Sequence, residues 1–188
     1  MLKLIEPYNP GWKTEFKSIS GVISMKLTGI NIDIEHVGST AVPGLCAKPI
    51  LDIDIIVLHV SQLSEIEQRL ITLGYYPKGE QGVKGRFSFG RVDDHVPFAD
   101  RSKKFQAHHL YVCMADSLAL KNHITFRDAL RKDPGLVKKY AGLKKELTED
   151  KEMTRETYSV QKTGFIISVL KTCGMNDAEL EDILNANR

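Results

Sequence analysis

Apolar residues recur at helical spacing near the start of the chain. Trp12, Phe16, Ile19, Ile23 and Leu27 describe an amphipathic helix after a short extended start, and Gly29 is placed to close it. Residues 32 to 37 read as a strand, and the apolar run 50 to 58 as a second. Ser61 is placed to cap a helix ending near Leu73 and Gly74. Short strands are expected at Tyr75-Tyr76, at GRFSFG (85 to 90) and at HHLYVC (108 to 113). From Ser117 onward the period is helical only. Leu118, Phe126 and Leu130 lie roughly on one face, and Pro134 opens a second helix with Leu136, Tyr140, Leu143 and Leu147. A third, from about Arg155, carries Tyr158, Phe165, Ile166, Val169 and Leu170. Asn176 and Glu179 form a capping-box pattern before a last helix through Leu180, Ile183 and Leu184. The pattern predicts an α/β (α+β) part, 1–115, and a helical part, 116–188, packed on it, with one compact domain overall as the alternative.

Two positions break the pattern. The strand at 50 to 58 should be buried, yet it carries Asp52 and Asp54. Asp is depleted in strands, and an unpartnered buried carboxylate is costly. Strand side chains alternate, so these acids share one face while Leu51, Ile53 and Ile55 take the other. Like charges ~7 Å apart on one face repel, and a bridging hard cation such as Mg²⁺ is the usual remedy. Just upstream, the turn Gly38-Ser39-Thr40 follows a strand and opens a short helix. Exposed N–H groups and a hydroxyl there suit a phosphate, and glycine permits its close approach.

Composition excludes several classes and adds little else. With 42% hydrophobic and 27% charged residues and a net charge of +2, the chain reads as a soluble globular protein without a strong nucleic-acid or membrane field. Cys46, Cys113 and Cys173 are far apart and form no Cys-x-x-Cys pair, so they read as reduced thiols. No signal-peptide h-region opens the sequence, and no apolar run approaches the ~20 residues of a membrane span. The expected location is the cytoplasm. The Gly-rich, charged stretch 78 to 107 is long for a connection, which points to a functional loop, with a mobile surface hairpin as the plain alternative.

The spacing Gly38-Ser39, twelve residues, Asp52-Ile53-Asp54 resembles the signature of the nucleotidyltransferase superfamily. The longer strings HVGSTAVPGLCAKPILDIDIIV, LGYYPKGEQGVKGRF, HHLYVC, FRDALRKDPGLVKKYAGLKKEL and YSVQKTGFI resemble the GrpB family (UPF0157), placed in that superfamily. The resemblance implies a nucleotidyltransferase-like mixed-sheet core with a C-terminal helical bundle. It also implies transfer of a nucleoside monophosphate from a nucleoside triphosphate to an unidentified small-molecule or protein acceptor. Nucleic acid is disfavoured as acceptor, because no basic stripe interleaved with aromatics occurs.

Carried across by motif, Gly38 and Ser39, with Thr40 in the same turn, would hold phosphates, and Asp52 and Asp54 would bind Mg²⁺. Lys48, Arg86 and Lys162 are further candidates for the nucleotide, with Lys84 and Arg127 weaker ones. The resemblance sets HHLYVC beside the Asp-Ile-Asp strand, where superfamily members often carry a third carboxylate. HHLYVC has no acid, so His109 would serve as ligand or base. Asp93 and Asp94 stay open as a third acidic element. His36 is placed to fix the turn or touch a phosphate, while His59, His95 and His123 form no metal spacing. A regulator that binds a nucleotide or metabolite without catalysis is the rival reading, and a protein-interaction module the third.

Overall fold

The computed structural model describes residues 5–100, 102–149 and 154–186. The side chains at 155, 156, 158 and 159 are not among them, so Tyr158 lies outside the described residues. Helix α1, Gly11–Lys26, buries Trp12, Ile19 and Ile23, the stripe its spacing predicts. Strand β1, Ile32–Val37, leads through a single 3₁₀ turn, Ser39–Ala41, toward β2, Leu51–Val57. A second 3₁₀ turn, Val60–Gln62, precedes α2, Leu63–Thr72. His59 and Gln62 form the capping box there, so the expected Ser61 cap is displaced by two residues. Strands β3, Tyr75–Gly79, and β4, Arg86–Arg91, form a hairpin, and β5 is His108–Met114.

Four helices complete the described fold: α3, Leu118–Lys132; α4, Pro134–Glu149; α5, Arg155–Thr172; and α6, Asp177–Ala186. Ser117 caps α3 by accepting the Leu120 amide. Asn176 and Glu179 make the reciprocal capping-box bonds at 3.1 and 3.0 Å ahead of α6.

The five strands lie in the order β1-β2-β5-β4-β3, antiparallel except for the β2–β5 pair. Alternation gives this sheet two unlike faces. Leu51, Ile53, Ile55 and Val57 of β2 and Leu110 and Val112 of β5 are fully buried in one core with α1 and α2. Each such side chain contributes about 1.5–3 kcal/mol on burial. The stretch after β4 joins this core through the buried Val96 and Phe105, with Phe98 packed against it, while Val92, Asp93 and Asp94 stay on the surface. The opposite face carries Glu35, Asp52, Asp54, His109, Tyr111 and Ser88 in cross-strand register. The helical half is anchored beside it, because Val42 and Leu45, just past the first 3₁₀ turn, pack with Leu130 and Tyr140.

Two histidines serve the frame. His108 pairs through Nε2 with the Tyr75 hydroxyl at 2.7 Å and through Nδ1 with the Gln106 carbonyl at 2.8 Å. His36 pairs with Thr40 at 3.0 Å and stacks on Phe16. Burial lowers both to about 4; at His36 the Arg131 and Arg127 charges add to it, and at His108 the Gln106 bond opposes it. Because the folded values lie below the unfolded ~6.5, each contribution is complete above that pH and lost as pH falls toward 4. The melting temperature should therefore fall steeply from pH 6.5 to 4, with up to about 3 kcal/mol lost per histidine. A flat profile by circular dichroism over that window would contradict the assignment.

Candidate active site

Asp54 sits in the middle of β2, wholly buried. Its Oδ2 receives a bond from His123 Nδ1 of α3 at 2.7 Å, and its Oδ1 has no hydrogen-bond partner among the described residues. In β1 the residue directly opposite Asp54 is Glu35, a further carboxylate on the same face. Arg127 answers that charge through Nη1 to Glu35 Oε2, while also bonding Asp128 and the His36 carbonyl. Arg131 reaches the Ala41 carbonyl through Nε and Nη2. Positions 123, 127 and 131 are four apart, so one face of α3 sets His123, Arg127 and Arg131 across β2, β1 and the 3₁₀ turn. Arg127, a weaker candidate for the nucleotide, forms a structural ion pair with Glu35 and Asp128.

Asp52 takes the end of the strand nearest the turn. Gly38 has φ +70°, and a Cβ built on it would lie 2.1 Å from Asp52 Oδ2. Glycine is required there twice, for its backbone angle and for the carboxylate resting against it. The reason differs from the sequence expectation, in which room for a phosphate made glycine necessary. Asp52 keeps part of its surface in the cleft, yet burial raises its pKa, with Asp54 adding and His109, His123 and Lys162 opposing. The register pairs His109 with Asp52 and Tyr111 with Asp54, so both β5 side chains reach the carboxylate face. His109 is exposed, and its Nδ1 lies 3.4 Å from the Tyr111 hydroxyl.

The turn is occupied by protein groups. The Lys144 ammonium of α4 donates to Ser39 Oγ at 3.1 Å and to the Cys46 carbonyl, and lies over the Tyr140 ring. Burial lowers Lys144 to about 8, opposed by Cys46 and assisted by Lys162. Lys162 of α5 is likewise lowered by burial and by Lys48, while Asp52 raises it, so its charge is felt by Asp52 and by both Lys48 and Lys144. Thr40 is turned inward onto His36, so its hydroxyl is not offered to the cleft as expected. Arg86 is aligned with Cys113, and Cys113 with Ile56, four rows down β2 from Asp52, so the structure does not bring it to the turn. Asp93 and Asp94 pair with His95 and Arg91 on the surface between β4 and β5 and supply no third acid.

His123, Lys144 and Glu35 were missed in the sequence. Only Lys144 left a signal, a lysine on the apolar stripe between Tyr140 and Leu147.

No group of three or more His, Cys, Asp or Glu side chains poised to hold a metal occurs among the described residues. Two carboxylates, one oxygen of which is orphaned, still suit Mg²⁺, which keeps most of its water and commonly takes one or two protein carboxylates with substrate phosphates.

The family model described as GrpB protein matches residues 4–172. The glutamate-rich protein GrpB of Alkalihalophilus pseudofirmus is 29% identical over 171 residues, covering 89% of this chain and 93% of that protein. UPF0157 protein YqkA of Bacillus subtilis is 33% identical over 140 residues, covering 74% of this chain but 38% of the relative's length. Among solved structures, GrpB from Enterococcus faecalis superposes with a TM-score of 0.74 at 27% identity, covering 95% of this chain and 98% of that one. The Cid1 poly(U) polymerase, in a structure bound to MgATP, matches at TM-score 0.57 and 14% identity, over 87% of this chain and 50% of Cid1. That likeness gives this chain the nucleotidyltransferase fold.

The Gly38–Asp52 contact makes a testable claim. Gly38→Ala should cost about 2–4 kcal/mol in the wild type, but only about 1 kcal/mol in an Asp52→Ala background, where backbone strain alone remains. Equal costs in both backgrounds, by urea unfolding, would show that the carboxylate does not rest on the glycine.

Proposed function

The chain belongs to the GrpB family, and from the cleft it builds we propose that it is a nucleotidyltransferase that uses a Mg-nucleoside triphosphate. The single observation that carries this reading is the meeting of two charge groups. Asp52 and Asp54 lie on one face of β2; Lys144 bonds Ser39 at its end, and Lys162 interacts with Asp52, Lys48 and Lys144. Acids that suit a cation stand next to cations that suit a polyphosphate. Lys144 holds the Ser39 hydroxyl in the bonds a phosphate oxygen would replace.

Asp52 and Asp54 would hold Mg²⁺ carried in with the triphosphate, and that ion would neutralise phosphate charge. The protein's own groups then have clear tasks. Ser39 and the backbone of its turn bind the β- and γ-phosphates, and the lysines balance their charge. An acceptor oxygen or nitrogen attacks the α-phosphorus as the bond to the β-phosphate oxygen breaks, and pyrophosphate leaves with the electron pair. The acceptor's proton passes to His109, the exposed base beside Asp52.

A second reading has its own observation. Asp54 is tied to His123 and Glu35 to Arg127, so the third acid of the face is neutralised. A regulator that binds the nucleotide without turnover needs no more than this.

The test is a nucleotide screen by thermal shift, with and without Mg²⁺, followed by a pyrophosphate-release assay. Mg²⁺ alone should leave the melting temperature unchanged, whereas Mg²⁺ with a triphosphate should raise it, and Asp52→Asn should abolish that rise. Ser39→Ala should weaken binding by roughly 0.5–1.5 kcal/mol, or up to ~3 if the hydroxyl meets a charged oxygen. Binding that ignores Asp52 would sink the metal-nucleotide reading. His109→Ala should cut turnover ~10²- to 10⁴-fold with little change in nucleotide affinity. Nucleotide binding without any pyrophosphate release would favour the regulator.

A further inference from the structure

A cavity of about 910 Å³ opens at the other end of the carboxylate face. Its walls are the β3–β4 loop with the start of β4, the beginning of α3, and the last turns of α6. Gly85 fixes the first wall against the second. Its φ is +74°, a Cβ there would lie 2.9 Å from Ser117 Cβ, and its carbonyl accepts the Met114 amide at 2.8 Å. The cavity reaches the carboxylates through His123, which both lines it and holds Asp54.

Arg86 lines the same space and sets the chemistry of the occupant. Its guanidinium lies 4.9 Å from the Tyr111 ring centroid. Among the described residues it has no hydrogen-bond or ion-pair partner, and its Nε is buried without one. A half-buried cation with five donors and no acceptor calls for an anion. The rest of the lining narrows the choice. Val83, Phe87, Met114 and Ile183 supply apolar surface at its edge, while among the described residues the carboxylates Glu80, Asp116 and Asp182 outnumber the one further cation, Lys84. Those carboxylates repel a doubly charged phosphate more than a singly charged carboxylate, and they suit an ammonium group. Planar carboxylate and guanidinium also match in a paired, bidentate geometry.

We propose that this cavity binds a small zwitterion with an apolar body, its carboxylate on Arg86 and its ammonium toward the acidic wall. As a binding site the cavity stands alone; as the site of the acceptor that receives the nucleotidyl group it rests on the function proposed above.

The test uses the full chain without nucleotide. Saturation-transfer NMR and calorimetry would compare tyrosine with tyramine, which lacks the carboxylate, with 4-hydroxyphenylpropionate, which lacks the ammonium, and with phenyl phosphate. Tyrosine should bind best, at least tenfold more tightly than tyramine. Arg86→Gln should weaken it at least tenfold while the melting temperature stays close to wild type. Asn185→Trp, which fills the cavity from the exposed end of α6, should have the same effect on binding without touching Arg86. Failure of the whole panel to bind, equal binding of tyramine, tighter binding of phenyl phosphate, or indifference to both substitutions would each overturn the proposal. Triphosphate binding is read separately by the thermal-shift screen, so loss of one result leaves the other intact.

Discussion

A carboxylate buried in the middle of a β-strand is the constraint around which the rest of this fold is arranged. Burying a carboxylate without a partner is costly, and the half-exposed Glu35 beside Asp54 adds a second, milder demand. Helix α3 meets it by presenting His123 to one acid and Arg127 to the other, one helical turn apart. Its position across β1 and β2 follows from that pairing as much as from apolar packing. Once α3 is placed, Leu130 meets Val42 and Leu45 behind the first 3₁₀ turn, and α4 brings Lys144 onto Ser39. Electrostatic need on the sheet thus dictates where the helices stand, and the helices then build the cleft.

The cleft is divided by function along the strand direction. Near the turn, cations outnumber free acids, which suits a polyphosphate. Toward the far end, Arg86 and the mixed-charge cavity offer a different chemistry. His123 stands between the two, bonded to Asp54 and exposed to the cavity. A molecule seated there is therefore one imidazole away from the strand that carries both aspartates.

Local features of this structure were legible in the sequence because local physics fixes them. The capping box at Asn176 and Glu179, the helix start at Arg155 and the shared face of Asp52 and Asp54 all depend on residues within a few positions of each other. The placement of His109 beside Asp52 came from resemblance, since no local rule pairs two strands across fifty residues. What stayed hidden were partners joined only by the fold. His123 meets Asp54, Arg127 meets Glu35 and Lys144 meets Ser39 across 69, 92 and 105 positions. Thr40 departs from its expected role for a related reason. Its hydroxyl is polar by composition, but the neighbouring His36 draws it inward.

The strand order also bears on how quickly the chain can reach this state. β1 with β2, and β3 with β4, are neighbours both in sequence and in space, whereas β5 enters last and lies between the two pairs. Until it does, the sheet is two ribbons with unsatisfied edges, each exposing apolar residues that belong on one continuous surface. Insertion of β5 closes two ladders at once, one of them parallel and bridging the long stretch from Val57 to His108. Such distant pairing carries a large loop-closure cost, so the carboxylate face is built from the least local contacts of the sheet.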